Sequence, residues 1–354
     1  MDPQDLLDLL DDQQARRLRV IENLLRGRKT VSTLYWGQRY DLLYLLSLDK
    51  HLARGGLDTV AQTLVSQKMA TWLPAEQPQL RLTALGRKQR DQAVTFRPKT
   101  QALWPQITLG LARQRLLLSV QVVSQYAHQT ARYYPLTTDL ATRQAVRQWF
   151  HQVKSPELAT QVFTALTASL TRLPPMTAQV VTAGFSGYQQ PGLTVQQLAQ
   201  DLQRTPWEVY LRHVDGVVQI AQDARQTDHP LHALLAPAWQ TAVTRSAQAT
   251  LRAVATTDLT LDQVAVQRHI KPSTVREHLL EAAIMLPVTA VPYDRLLPPA
   301  TRQALLAVLP AQLDDWEYTA LPVALQQRFD FFTFRLLAIL CDKEGDHHAG
   351  TPDD

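Results

Sequence analysis

The chain of 354 residues has one cysteine, Cys341, only 12 glycines and no apolar run of membrane-spanning length. A lone cysteine excludes a disulfide framework and a cysteine-ligated zinc site, and it suits a reducing compartment. So few glycines disfavour glycine-rich nucleotide loops and turn-rich β folds. A bilayer helix takes about 20 apolar residues, and the strongly apolar run Phe329 to Leu340 is too short for that. The start, MDPQDLLDLLDD, lacks the basic, apolar and small-residue zones of a signal peptide. A cytoplasmic protein without a membrane partner is expected.

Catalytic signatures are missing as well. There is no GxxxxGK[ST] loop and no HExxH, and a single cysteine forbids CxxC. GFSGY, at Gly184 to Tyr188, lacks the G-x-S-x-G spacing of a nucleophile turn. His128, His151, His213 and His278 are scattered without a paired carboxylate motif, and His347-His348 sits in a polar tail. Asp314, Asp315 and Glu317 read as a solvated helix start rather than a metal site. Cys341 reads as a buried spectator. The expectation is a non-enzyme with no cofactor and no metal.

What the chain does have is apolar surface and arginine. Hydrophobic residues make up 45%, enough for a sizeable core, and the length suggests two or three domains. The cations are 28 Arg and 8 Lys, unevenly placed. Residues 1–15 hold five acids and no base; residues 16–115 hold 18 bases and 6 acids, a net of +12. Residues 281–354 hold 5 bases and 11 acids, a net of −6. A basic front can neutralise phosphates, although such runs also serve as solvated helix faces.

Apolar residues recur mostly at helical spacing, so the expected fold class is all-α and multi-domain. Leu6, Leu7, Leu9 and Leu10, then Leu18, Ile21, Leu24 and Leu25, form amphipathic stretches ended by Gly27 as a C-cap. Tyr40 to Leu48 reads as a dense apolar helix, and Asp58 as the cap of the next. Thr71 to Leu73 and Leu80 to Leu82 read as two short strands around the turn Pro74 to Pro78. That order predicts a winged-helix-like basic domain over residues 1–95. FRPKTQALWPQITLG (residues 96–110) reads as a linker into a helical middle domain that runs to residue 240. Leu193 to Ile220 reads as a helical hairpin or a second helix-turn-helix, with Arg204, Glu208, Arg212 and His213 outward.

The most informative stretch is DLTLDQVAVQRHIKPSTVREHLL, Asp258 to Leu280. Thr260 can cap a short helix with Leu261, Val264 and Ala265 inward. Ile270 lies in the turn, Pro272 suits a first helical position, and Val275 and Leu279 face back. With a preceding helix at about Thr244 to Ala255, this makes a three-helix helix-turn-helix domain over residues 241–290. An acidic helical extension, 291–354, follows. The second helix would present Lys271, Ser273, Thr274 and Arg276 to DNA, with Arg268 just before it. The competing reading is a helix pair used for packing alone. Two further basic sets are candidate phosphate contacts. Arg26, Arg28, Lys29 and Arg39 are interleaved with Tyr35, Trp36 and Tyr40, which are equally read as core aromatics. Arg81, Arg87 and Lys88 flank the wing.

Ala265, Arg268, Ile270, Ser273-Thr274-Val275 and His278-Leu279 resemble the helicase-associated helix-turn-helix domain often appended to RecQ-type helicases. Relative to response-regulator modules, Arg268 replaces an apolar residue and His269 replaces glycine. RGRKTVSTLYWGQRYDLLYLL and LRLTALG resemble the start of the Firmicute YpbB family. That resemblance covers roughly residues 16–95 and 240–290 and implies a DNA-transaction setting beside a RecQ-type helicase. The expected function is therefore a DNA-binding or helicase-accessory protein. The alternatives are a helix-turn-helix transcription regulator and a protein adaptor without DNA contact.

Overall fold

A computed structural model describes residues 1–74, 78–92 and 96–348, with side chains through residue 345. In chain order the front elements are α1 (Pro3–Leu7), β1 (Arg16–Arg17), α2 (Leu18–Leu25), α3 (Val31–Arg39), α4 (Asp58–Ser66), β2 (Ala70–Leu73), β3 (Gln79–Leu82) and α5 (Ala84–Gln92). The middle holds α6 (Leu109–Ala127), α7 (Leu140–Val153), α8 (Leu158–Leu170), α9 (Pro175–Ala183), α10 (Val195–Leu202), α11 (Pro206–Asp223) and α12 (His232–Leu235). The last part holds α13 (Arg245–Thr256), α14 (Leu261–Gln267), α15 (Pro272–Met285), α16 (Tyr293–Leu296), α17 (Pro299–Leu306), α18 (Val323–Arg328) and α19 (Phe331–His348). The fold is all-α with one small sheet, and no described helix is long and apolar enough to cross a membrane.

The chain divides into two compact units, Met1–Leu18 with Ala53–Gln240, and Arg19–Leu52 with Thr241–Asp354. These boundaries differ from the sequence expectation. Residues 1–95 are shared between the units: Arg19–Leu52 groups with the last third of the chain, where α3 packs on α15.

In the first unit the expected hairpin is present. β2 and β3 pair antiparallel from Ala70 opposite Leu82 to Leu73 opposite Gln79, and β1 adds to the far side of β3. Leu80 and Leu82 point to the buried face while Arg81 points out, as a period of two requires. Thr83 accepts from the Gly86 N–H at 3.1 Å and starts α5. Gly86 must be glycine, since a Cβ there would lie 1.9 Å from the Met69 carbonyl oxygen. The acidic start folds onto this sheet. Leu82 N–H donates to the Asp11 carbonyl at 2.9 Å, and Arg90 donates to the Leu10 carbonyl at 3.1 Å.

The segment read as a linker, residues 96–110, is anchored. Asp215 on α11 is fully buried and accepts from the Lys99 N–H (3.0 Å), the Thr100 N–H (2.8 Å) and the Thr100 hydroxyl (2.6 Å). The Trp104 indole N–H in turn donates to Thr100 Oγ1 at 2.9 Å, and Trp104 and Ile107 are core residues. A buried carboxylate must be hydrogen-bonded, and this chain segment supplies the donors. Proline content pointed to a linker; Asp215, over a hundred residues away, decided otherwise.

α11 also corrects an expectation about the middle. Arg212 and His213, read as outward, are both buried. Arg212 pairs with Glu208 at 2.6 Å and lies 4.1 Å over the Phe96 ring. His213 Nε2 accepts from Arg113 Nε at 3.1 Å. Burial, and secondarily the Arg113 charge, push His213 from its ordinary 6.5 down to about 4. The imidazole is therefore neutral in the fold at neutral pH.

In the second unit, Gly27 closes α2 with φ +78°, as expected of a C-cap glycine. Tyr40 to Leu48 is not the expected helix. It is a run of turns around a 3-10 segment, Leu43–Leu45, with Asp41 and Ser47 at positive φ. Its amides serve α2 instead: Ser47 and Asp49 donate to the Leu24 and Leu25 carbonyls at 2.9 Å, satisfying two helix-end acceptors. The apolar run near the end is a packed helix, α19, with Phe332, Phe334 and Leu336 to Leu340 buried. The polar tail is still helical at His348. The side chains of His347 and His348, and residues 349–354, lie outside the described residues.

The proton at His213 binds near 6.5 in the unfolded chain and near 4 in the fold. Stability is therefore lost as pH falls through that window and is flat below it, an effect of roughly 3 kcal/mol. Urea unfolding followed between pH 7 and 4 checks this, and His213→Asn is expected to flatten that part of the dependence.

Candidate nucleic-acid interface

The three-helix unit expected near residue 260 is present as α13, α14 and α15. Thr260 caps α14 in a capping box, accepting from the Gln263 N–H at 3.2 Å while Gln263 Oε1 accepts from the Thr260 N–H at 2.8 Å. Val264, Ala265, Val275 and Leu279 form the buried seam and Ile270 is half-buried, matching the sequence pattern. The turn is set by His269, whose φ is +53°. This left-handed conformation is why glycine is common at such a position. It lets the Ile270 N–H reach the Ala265 carbonyl at 3.0 Å.

The polar residues behind the seam hold the three helices together. Arg268 donates to the Ser246 carbonyl at 2.9 Å and to the Thr250 hydroxyl, and Thr250 Oγ1 also lies 2.8 Å from His278 Nδ1. Thr250 is fully buried. Burial, then the Arg268 charge, lower the His278 pKa. Arg268 was expected to touch DNA. It is instead the tie between α14 and α13, because its guanidinium reaches the Ser246 carbonyl and the buried Thr250 hydroxyl on α13. Farther along α15, buried Glu281 accepts from the Thr244 N–H (2.6 Å) and hydroxyl (3.0 Å) at the start of α13. A carboxylate there also favours the helix N-terminus electrostatically. Arg295 donates to the carbonyls of Val254, Thr257 and Leu259, fastening the α13–α14 loop.

The outward end of α15 carries the remaining candidates. Lys271 and Ser273 are exposed, and Thr274 is half-buried. Lys271 is the N-cap and no side chain caps this end; Pro272 has no N–H and the Thr274 N–H donates to the Lys271 carbonyl at 3.0 Å, so the Ser273 N–H is the first-turn donor left open to an outside acceptor. Arg276 is half-buried and lies 3.4 Å from Asp330, an ion pair without hydrogen-bond alignment. Two further exposed cations, Arg245 and Arg252, lie on α13 and have no ion pair among the described residues. The sequence reading missed them. Their signal was a seven-residue spacing opposite the inward Ala247, Leu251 and Val254.

The front basic set is in the same unit but largely committed to packing. Lys29 Nζ donates to the Ala242 carbonyl at 3.2 Å. Arg39, only 10% exposed, pairs with Asp342 and Asp314. Tyr35 and Tyr40 are core residues, and Arg335 stacks 3.7 Å from the Tyr35 ring centroid. Arg28 is exposed and Arg26 half-buried. As DNA contacts, Lys29 and Arg39 are therefore corrected to packing residues: their charges face acceptors supplied by the last third of the chain, the Ala242 carbonyl, Asp314 and Asp342. In the first unit, Arg81, Arg87 and Lys88 are all exposed. Arg87 pairs with Asp12 (3.1 Å) and Asp91 (3.5 Å), so the acidic start partly neutralises the wing. Arg81 and Lys88 have no ion pair among the described residues. No cluster of metal-ligating side chains occurs among the described residues.

Residues 246–338 match the family model described as a helix-turn-helix domain. The match runs from α13 into α19, beyond the 241–290 expected, which agrees with the packing of α19 on α15. The chain is similar to Protein YpbB of Bacillus subtilis (strain 168), at 25% identity over 273 residues, 74% of this chain and 75% of that one. No solved structure matches.

Two substitutions separate structural from surface roles. Arg268→Ala is expected to cost about 1–2 kcal/mol, since charge-assisted bonds to the Ser246 carbonyl and the buried Thr250 hydroxyl are lost. Lys271→Ala should stay within about 0.5 kcal/mol. His269→Gly should stabilise by about 0.5–1 kcal/mol by relieving a left-handed residue with an exposed side chain. Chemical denaturation of the three variants checks all of these.

Proposed function

We propose that this relative of YpbB is a non-enzymatic, cytoplasmic DNA-binding protein that works in DNA metabolism alongside a RecQ-type helicase. The observation that carries the DNA-binding part is the open end of α15. Lys271, the Ser273 hydroxyl and the uncapped Ser273 amide stand at the position where a helix-turn-helix enters a major groove. Arg245 and Arg252 add exposed positive charge on the neighbouring helix. The helicase part rests on the resemblance of Asp258 to Leu280 to helicase-associated domains. The Arg268, Thr250 and His278 network gives that pattern a physical reason. Serine, threonine and lysine at the reading end favour backbone contacts over base recognition, which suits an accessory role better than a sequence-specific regulator. A protein-adaptor reading is favoured by one observation: Arg39, Arg87 and Arg276 all spend charge on acids of this same chain.

Binding of fluorescent duplex and forked DNA, measured at several salt concentrations, tests the proposal. A log–log salt dependence with a negative slope is expected, and Lys271→Gln should reduce its magnitude by about 0.9 while weakening every sequence alike. Absence of binding at low salt, together with capture of a RecQ-type helicase, would favour the adaptor.

A further inference from the structure

The first unit contains a second helix-turn-helix of the same local construction as α14–α15. Thr194 caps α10 in a capping box with Gln197, as Thr260 does with Gln263. Gln203 has φ +52° where His269 has +53°. The Arg204 N–H meets the Ala199 carbonyl at 3.0 Å, as Ile270 meets Ala265 at 3.0 Å. Pro206 opens α11 and Val209 is fully buried, like Pro272 and Val275. Each position precedes its counterpart by one constant offset, 194 before 260, 199 before 265, 206 before 272 and 209 before 275. The plain hairpin reading thus gives way to a duplicated local architecture.

The two copies differ where they would meet a ligand. At the positions of Ser273 and Arg276, α11 carries Trp207 and Tyr210. These rings are one turn apart on one face, half-buried, with centroids 5.7 Å apart. They line a cavity of about 690 Å³ together with Leu117, Leu136, Thr194 and Arg113. That volume fits a small ligand. None of the described residues lining the cavity is a carboxylate, and Arg113 brings a guanidinium into it. Arg113 spends one N–H on His213, which orients it, and its terminal nitrogens have no partner among the described residues. An aromatic wall beside a single held cation, without acids, suits a flat ring that carries negative charge.

We propose that the α10–α11 cavity binds an unpaired nucleotide, its base stacked on Trp207 and Tyr210 and its phosphate on Arg113. The chemistry is shared by a single-stranded nucleic acid and a free nucleotide. The site is separate from the α15 interface and does not depend on it.

The test uses the full chain and fluorescein-labelled oligothymidylate, which has no secondary structure, followed by anisotropy at low salt. Trp207→Leu and Arg113→Gln are each expected to weaken binding by about tenfold, the scale of one lost stacking or charge contact. Lys271→Gln should leave oligothymidylate affinity within about twofold while it weakens duplex binding. Arg113 is exposed, so Arg113→Gln keeps the test clear of any folding defect at Trp207. Trp207→Phe, which retains a ring, should recover most of the affinity. Competition with thymidine monophosphate separates the sources: displacement at millimolar levels assigns the site to a free nucleotide, and resistance assigns it to a strand. Failure of wild-type protein to bind either probe, or wild-type affinity in both Arg113→Gln and Trp207→Leu, would overturn the proposal.

Discussion

Burial of the C-terminal half of α15 is the constraint on which the second unit depends. Leu279, Leu280, Ala282, Ala283 and Ile284 are all core, and α3, α13, α14 and α19 pack around them. A helix surrounded on most sides must satisfy every polar group it carries inward. Glu281 does so by holding the start of α13, and Lys343 of α19 donates to the Leu286 carbonyl at 2.5 Å just past its end. Burial lowers the Lys343 ammonium to about 8, which marks how closely α19 is applied. The other half of the same helix is thereby left facing outward, with Lys271 and Ser273 at its open end. One helix both organises the core and presents the polar end proposed to meet DNA.

Arginine in this protein acts mainly as a structural fastener. Arg39 joins α3 to α19, Arg268 joins α14 to α13, and Arg295 holds the loop between them. In the first unit, Arg90 and Arg87 fasten the acidic start. The planar guanidinium, with five donors, suits this work because it can satisfy several carbonyls or carboxylates at once. Counting cations therefore overstated the positive surface. Those that remain exposed and unpaired among the described residues are single side chains, such as Arg28, Arg81, Lys88, Arg245, Arg252 and Lys271.

The duplicated helix-turn-helix gives the two units a common local device with different surfaces. In α14–α15 the outward end is polar, with Lys271, Ser273 and Arg276. In α10–α11 it is aromatic and borders a cavity. The same threonine capping box on the first helix, a left-handed residue at the same place in the turn and the same proline start serve both, since these features position a helix whatever its outward side chains are. Divergence at positions equivalent to Ser273 and Arg276 can then change the ligand without disturbing the scaffold.

Local chemistry was legible in the residues themselves. The Thr260 cap, the Pro272 start, the Ala265 and Val275 seam, the Gly27 stop and the β2–β3 hairpin follow from short-range rules acting within a few positions. They appear where the pattern placed them. Partnership across the chain was not legible. Residues 96–110 look like a linker until Asp215 meets their amides, and Arg268 looks like a DNA contact until Ser246 and Thr250 accept from it. Residues 1–95 look continuous until α3 finds α15. A side chain's charge is written in the sequence, but which acceptor lies within 3 Å of it depends on how distant helices pack. Only the tertiary structure decides whether a cation is spent inside the fold or left for a partner.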